Sequence, residues 1–280
     1  MNANGFSEIT ASVRRMVVMG EAISVVIITK NEEALIGRCV DSVDGLADEV
    51  VVVDSESTDR TREIAAEHGA RVIIKPFLGF VEQKRFACAQ ASCPWVLSLD
   101  ADEALSNELR QALLQLKEAG FPWDGCEFNR RTFYLTDWFY QGGWYPDRKL
   151  RLFRRDMVLW MGENPHDYAG LPSTARVGLI AADILHLTYE NLADHLRQIN
   201  AFSGAAASAK ASRGKFISPV GLLFHPLFKV FRTYFIDRAF LQGTRGIVFS
   251  VMAGISVFMK YAKLWELSVR REDSKDRRSP

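Results

Sequence analysis

Three short apolar runs, each ending in a cluster of polar residues, constrain this chain more than anything else in it. Residues 23–28 (Ile-Ser-Val-Val-Ile-Ile) lead into Thr29-Lys30-Asn31-Glu32-Glu33. Four valines at 50–53 precede Asp54-Ser55-Glu56-Ser57-Thr58-Asp59, and Trp95-Val96-Leu97-Ser98-Leu99 runs into Asp100-Ala101-Asp102. Runs of this length with polar ends read as strands buried on both faces. Between them the spacing turns helical: residues 33–43 carry Leu35, Ile36, Cys39, Val40 and Val43, and residues 58–68 open on Ser57-Thr58-Asp59 and stop at Gly69. A further strand is expected at 71–74 and a helix at 80–91. Strand alternating with helix implies parallel pairing, which puts all the polar ends on one edge of one sheet, where open α/β sheets bind ligands.

Two carboxylates one residue apart at such an edge need a positive partner. Asp100 and Asp102 left unpaired would repel each other and lose hydration, so a divalent cation with oxygen ligands, Mg2+ or Mn2+, is the expected partner, and with it a phosphate group. Taken alone, Asp-x-Asp is also ordinary turn chemistry after a strand.

The segments at 23–33, 49–61 and 95–103 resemble, in order and spacing, the nucleotide-sugar-binding half of the inverting family 2 glycosyltransferases of the GT-A fold. Residues 142–155 (Gly-Gly-Trp-Tyr-Pro-Asp-Arg-Lys-Leu-Arg-Leu-Phe-Arg-Arg) are similar to the branch containing the lipopolysaccharide core β-glucosyltransferases. The resemblance covers residues 23–267. It implies a Rossmann-like α/β domain with a mixed, mostly parallel sheet, and transfer of a hexose, glucose from UDP-glucose, to a lipid-linked saccharide such as the lipopolysaccharide inner core. By the same resemblance Asp54 receives the nucleotide base, Asn31 and Glu32 frame base and ribose, and Asp100 lies near the ribose. Asp102 holds the metal on the diphosphate. Lys84, on the helix before the aspartate strand, adds positive charge to the donor site unless it faces solvent.

Inversion requires a general base that removes the acceptor hydroxyl's proton. Relatives carry a His-Glu pair on a later loop; here Gly162-Glu163-Asn164-Pro165-His166-Asp167 puts Asp167 in the glutamate's place, with Glu163 as competitor. His186, after the apolar Ile184-Leu185, is a candidate late metal ligand or a core histidine. Trp144 and Tyr145 are candidates to stack on an acceptor sugar, or to pack a lid. Arg151, Arg154 and Arg155 either meet phosphate or form a solvated edge.

Charge is unevenly spread. From Ala206 onward there are fourteen Lys or Arg against five acids, a balance of +9 in a chain whose net charge is +1. Residues 216–240 mix seven large aromatic residues with Lys229, Arg232 and Arg238, the composition of helices lying in an anionic membrane interface. The uncharged stretch 247–259 is short of the ~20 residues a spanning helix needs. The expected organisation is an N-terminal extension (1–22), a GT-A domain (23–187), a helical basic and apolar segment (188–267) and a disordered charged tail (268–280). The expected location is cytoplasmic, peripheral on the inner face of the membrane.

Cys39, Cys88, Cys93 and Cys126 form no C-x-x-C pair and read as reduced thiols. Other classes fit less well. The loop after Ile28 has no glycine, against a dinucleotide fingerprint, and an acidic crevice opposes nucleic acid. An Asp-x-Asp phosphohydrolase would carry Thr or Val where Ala104 stands. A binding scaffold that has lost turnover is the remaining alternative.

Overall fold

The computed structural model describes residues 21–163, 166–189 and 191–276. All but the last two residues of the expected N-terminal extension lie outside this range. β1 (Ile23–Thr29), β2 (Glu49–Asp54), β3 (Arg71–Ile74) and β4 (Trp95–Asp100) are parallel in the order β3-β2-β1-β4. β8 (Asp147–Arg154) joins β4 antiparallel. It is followed by β6 (Gly125–Tyr134), β11 (Val177–Tyr189) and β5 (Glu103–Leu105), with β7 (Asp137–Phe139) on β6. β6 and β11 run parallel and β5 antiparallel, so the sheet is mixed, as expected. β9 (Leu159–Glu163) and β10 (His166–Gly170) form a separate hairpin.

Period-two alternation places successive side chains of the central strands in two different cores. Ile23, Val25, Ile27, Leu97 and Leu99 pack with Ile36, Cys39 and Val40 of α1 (Ile36–Asp41) and with Leu109 and Leu113 of α4 (Asn107–Ala119). Val26, Ile28, Val51, Val53 and Val96 pack with Ala87 and Cys88 of α3 (Phe80–Gln90) and with Trp160 of the hairpin. Both faces are covered, which is why these strands read as unbroken apolar runs.

The first two helices are shorter than their periodicity suggests: α1 starts at Ile36 and α2 spans Thr61–Glu67. The residues before them are spent on tying the two loops together. Asn31, in the left-handed region at φ 54°, donates its N–H to Ser57 Oγ (2.8 Å) and accepts from the Thr58 N–H through Oδ1 (2.8 Å). The Glu33 carboxylate accepts from the Arg60 N–H, and the Glu32 N–H donates to Thr61 Oγ1. Short polar side chains bonding nearby backbone compete with helix, and here they prevail.

After the sheet come α5 (Leu192–Ser212), α6 (Pro219–Phe231) and α7 (Thr244–Asp276), with a π turn (Arg232–Ile236) and a 3-10 turn (Ala239–Gln242) between the last two. α6 and α7 cross closely at Gly254, where a Cβ would stand 2.4 Å from Val230. Two expectations need correction. The described part of the charged tail is helical, since α7 continues to Asp276. Its stretch Thr244–Arg270, 27 residues, is long and apolar enough to cross a membrane by length and composition. Counting only the uncharged residues 247–259 ends the stretch at Lys260, although Lys260 and Lys263 stay in the helix.

Phe249 of α7 enters an aromatic cluster with Tyr134, Phe139, Trp144 and Tyr189, fastening the helices to β6, β7 and β11. Gly142 (φ 72°) permits this approach, because a Cβ there would lie 2.7 Å from the Phe249 ring.

Candidate active site

β4 delivers Asp100 to the strand-end edge, where two buried cations meet it. Lys84 Nζ of α3 lies 3.0 Å from Asp100 Oδ1, and Arg151 Nη2 of β8 lies 2.9 Å from Oδ2. Burial alone would raise the Asp100 pKa, but Lys84 and Arg151 outweigh it and hold the carboxyl far below its ordinary range. Lys84 does not face solvent: its side chain is 5% exposed, and the same ammonium lies 2.9 Å from Asp167 Oδ2 on β10. A single cation thus ties the strand-end aspartate to the hairpin aspartate.

Behind Asp100 runs a chain of alternating charge that single-residue reading missed. Arg151 also contacts Glu103 Oε1 at 2.7 Å, Glu103 Oε2 accepts from the Asp100 N–H, and Arg130 reaches both Glu103 (3.5 Å) and Asp147 (2.7 Å). Burial opposes the charge on Arg151, yet Glu103 and Asp100 prevail and raise its pKa. Arg151 is therefore neither solvated edge nor free for phosphate. The only sequence signal for Glu103 is its place beside Asp102.

Asp102, one residue beyond the strand, faces His186 of β11, with Oδ2 3.0 Å from Nε2. Thr188 Oγ1 contacts the other ring nitrogen at 2.8 Å. This pair fits a divalent cation: two atoms bound at about 2.1 Å on adjacent corners of an octahedron stand about 3.0 Å apart. Among the described residues no group of three or more His, Cys, Asp or Glu could hold a metal. Two protein ligands, completed by phosphate oxygens and water, are the usual arrangement for Mg2+ at a nucleotide.

Asp54 is placed differently from the expectation. It is fully buried, accepting from the Ser57 N–H (2.9 Å) and from the Ser57 hydroxyl, with Arg62 at 4.0 Å. Its carboxylate faces the turn it organises, not the crevice. Asn31 and Glu32 lie in the neighbouring loop, where Asn31 is bonded to that same turn.

Trp144 is half-buried between Tyr189 (stacked, 6.0 Å) and Phe249 (4.3 Å), which fits the packing alternative. Tyr145 is half-buried too, its hydroxyl donating to Asp183 Oδ1 (3.1 Å); burial and that carboxylate raise its pKa. Glu163 ends β9 and pairs with His166 across the hairpin; Asp167 pairs with Gly162.

The model of the family described as "Glycosyl transferase family 2" matches residues 24–173, more than half of the chain. The chain belongs to this family. Its similarity extends further along the sequence: an uncharacterized glycosyltransferase of Rickettsia prowazekii is 32% identical over 266 residues, covering 90% of this chain and 89% of its own. The lipopolysaccharide core biosynthesis glycosyltransferase LpsC of Rhizobium meliloti is 29% identical over 87% of this chain and 92% of its own. A stretch of 58 residues, 19% of this chain and 18% of its relative, is 52% identical to glucosyl-3-phosphoglycerate synthase of Mycobacterium tuberculosis. A solved structure of that synthase with Mn2+, UDP and glucosyl-3-phosphoglycerate, 30% identical, covers 47% of this chain and 50% of that one at a TM-score of 0.33. That likeness is too partial to carry residue roles across. The chain is a glycosyltransferase, and the phosphohydrolase alternative falls with that finding.

Proposed function

We propose that this family 2 glycosyltransferase is an inverting hexosyltransferase that moves a hexose from a UDP-sugar to a lipid-linked saccharide of the lipopolysaccharide core type. One observation carries the reading: Lys84 holds Asp167, from a separate hairpin, against Asp100, at the edge where Asp102 meets His186. Five side chains, from β4 and the turn after it, α3, β10 and β11, come to the edge where a nucleotide sugar fits an open α/β sheet. The glucosyl part of the reading is supported by the 58-residue, 52% identity with a protein named glucosyl-3-phosphoglycerate synthase, the acceptor class by the similarity to LpsC along nearly its whole length.

In this reading Asp102 and His186 hold Mg2+ or Mn2+, which when bound offsets the negative charge of the departing diphosphate. Asp100, fixed by Lys84 and Arg151, presents its remaining capacity to the ribose. Asn31 and Glu32 border the base, and Asp54 acts at one remove by fixing the loop that Asn31 leans on. Asp167 removes the proton from the acceptor hydroxyl as it attacks the face opposite the leaving group. The nearby ammonium of Lys84 orients the carboxylate and offsets part of the donor's negative charge when it enters.

The exposed apolar residues of α6 and α7, among basic ones, support peripheral attachment to the cytoplasmic face of an anionic membrane, where such an acceptor resides. The aromatic cluster around Phe249 supports α7 lying on the protein rather than leaving it to span.

The test is transfer from UDP-glucose compared with donor binding. Asp167→Asn is expected to bind UDP-glucose with metal as the parent does and to lose transfer. Transfer retained in Asp167→Asn and lost in Glu163→Gln would move the base to Glu163. No metal-dependent binding of any UDP-sugar would overturn the donor assignment.

A further inference from the structure

Glu103 takes no part in the transfer steps above, yet its side chain is fully enclosed, 0% exposed, in the middle of the site. In the sheet, β8, β6 and β11 separate β4 from β5, and Glu103, the first residue of β5, meets all four of those strands. Its Oε2 accepts from the Asp100 N–H at the end of β4 (3.0 Å), and its Oε1 lies 2.7 Å from Arg151 Nη2 of β8 and 3.5 Å from Arg130 Nη1 of β6. Its backbone stands opposite His186 of β11 in the ladder. Stability does not explain such an arrangement. Stripping water from a carboxylate and two guanidiniums costs much of what their pairing returns, and apolar residues of similar volume often serve a core as well or better. A hydrogen-bonded carboxylate supplies what an apolar side chain cannot, one fixed geometry for several strands at a single point.

That point carries the pair Asp102 and His186. Asp100 and Glu103 bracket the turn formed by Ala101 and Asp102, and the bond from the Asp100 N–H to Glu103 Oε2 closes this turn on itself. Asp102 is then held from two sides, by the closed turn and by the Leu187 N–H, which donates to its carbonyl (3.0 Å). His186 is held across from it, on the rung of the ladder that Glu103 makes. We infer that Glu103 is a positioning residue for the cation: its buried carboxylate keeps Asp102 and His186 at the spacing a divalent cation needs, without itself touching cation, donor or acceptor. The inference rests on the reading that Asp102 and His186 bind Mg2+ or Mn2+ together with the UDP moiety, and assigns the rigidity of that pair to a residue outside it.

The experiment is titration of the full chain with Mn2+ in the presence of UDP, followed by the electron paramagnetic resonance signal of free Mn2+, for the parent, Glu103→Gln and Leu113→Ala. Glu103→Gln keeps the shape of the side chain and removes its charge, while Arg151 and Arg130 each retain a carboxylate, Asp100 and Asp147. Its Mn2+ affinity should fall on the order of 10–100-fold, the range found when a group behind a metal ligand is replaced. Leu113→Ala removes a fully buried side chain of α4, so it destabilises the same core without reaching the turn, and its Mn2+ affinity should equal that of the parent. Parent affinity in Glu103→Gln would overturn the inference, and so would equal losses in the two variants, since general loosening of the domain would then account for both. Parent protein that takes up no Mn2+ with UDP would overturn the metal reading itself, and the inference with it. If circular dichroism shows Glu103→Gln unfolded, Glu103→Asp takes its place, keeping the charge but drawing the carboxylate back from the Asp100 N–H by one methylene. A loss on the order of tenfold is expected there, and an unchanged affinity would refute the positioning role.

Discussion

Replacing Lys84 by Met tests the centre of the site, because Met keeps the aliphatic stem against Trp160 and removes only the ammonium. In the parent, that ammonium lies 3.0 Å from Asp100 and 2.9 Å from Asp167, and its side chain is 5% exposed. Removing one partner of a buried ion pair costs about 3–5 kcal/mol, because the charge left behind is uncompensated. Two features reduce this figure. Arg151 still holds Asp100 at 2.9 Å, and the two carboxylates keep 27% and 10% of their side-chain surface in solvent. The expected loss is therefore about 2–3 kcal/mol at pH 7, read from urea unfolding at constant m-value.

The pH dependence of that loss identifies its cause. In the parent the folded-state pKa of Asp100 is depressed, so its contribution to stability is present above the ordinary carboxylate range and fades as pH falls below it. In the variant two carboxylates share a site with one cation fewer, so one of them takes up a proton above that range and the folded variant recovers relative to the parent. The gap between the two proteins should narrow from pH 7 to pH 4. A gap that is constant with pH, or below about 0.5 kcal/mol at pH 7 as for a solvated surface charge, would refute the bridging role.

Further outcomes follow from the same geometry. Asp102→Asn should reduce metal-dependent kcat/KM on the order of 100-fold, about 2.7 kcal/mol, with the protein still folded; excess Mn2+ restoring full activity would remove Asp102 from the metal site. Trp144→Ala should cost about 3 kcal/mol in thermal or urea unfolding, from the emptied aromatic cluster, while UDP-sugar affinity stays at the parent value. His195 of α5, stacked on Tyr189 and bonded to the Tyr134 hydroxyl, has its pKa pushed down to about 4 by burial. The unfolded chain thus binds more protons than the folded one between about pH 6.5 and 4, so stability should fall by about 3 kcal/mol as pH drops through that window. His195→Phe should flatten that slope, and an unchanged slope would place the titrating group elsewhere.

The strands are legible in the sequence because burial on both faces leaves an unmistakable composition, and their polar ends mark the binding edge before any contact is known. Asp100, Asp102 and Asp167 are singled out the same way, from position at a strand end or within a motif. What escapes is pairing. Nothing local distinguishes Arg151 or Glu103 from an ordinary charged residue on a strand, and their meaning comes from a partner some fifty positions away, Glu103 in one case and Arg151 in the other. Lys84 is ambiguous in sequence for the same reason: its helix register is clear, but the hairpin that covers it is formed about eighty residues later. Asp54 and Trp144 are the converse, residues of the right type at the right place whose side chains the fold uses for its own loops and its own core.

That division bears on how the site is held. The donor edge is fixed by short-range devices, the loop-to-loop bonds of Asn31, Glu33 and Ser57, which need only β1 and β2 side by side. Asp167, the proposed base, belongs to a hairpin outside the main sheet that packs on it through Trp160 and joins the ionic network through Lys84. His186 is fixed by β11, the strand whose end, Tyr189, is clamped by Trp144 and by His195 of the helical segment. A disturbance of the C-terminal helices therefore has a direct mechanical route to His186, three residues from the clamp, and none of comparable length to the Asn31–Ser57 latch. Membrane contact by those helices would act first on His186, the half of the site proposed to hold the metal, and only through it on the proposed nucleotide edge.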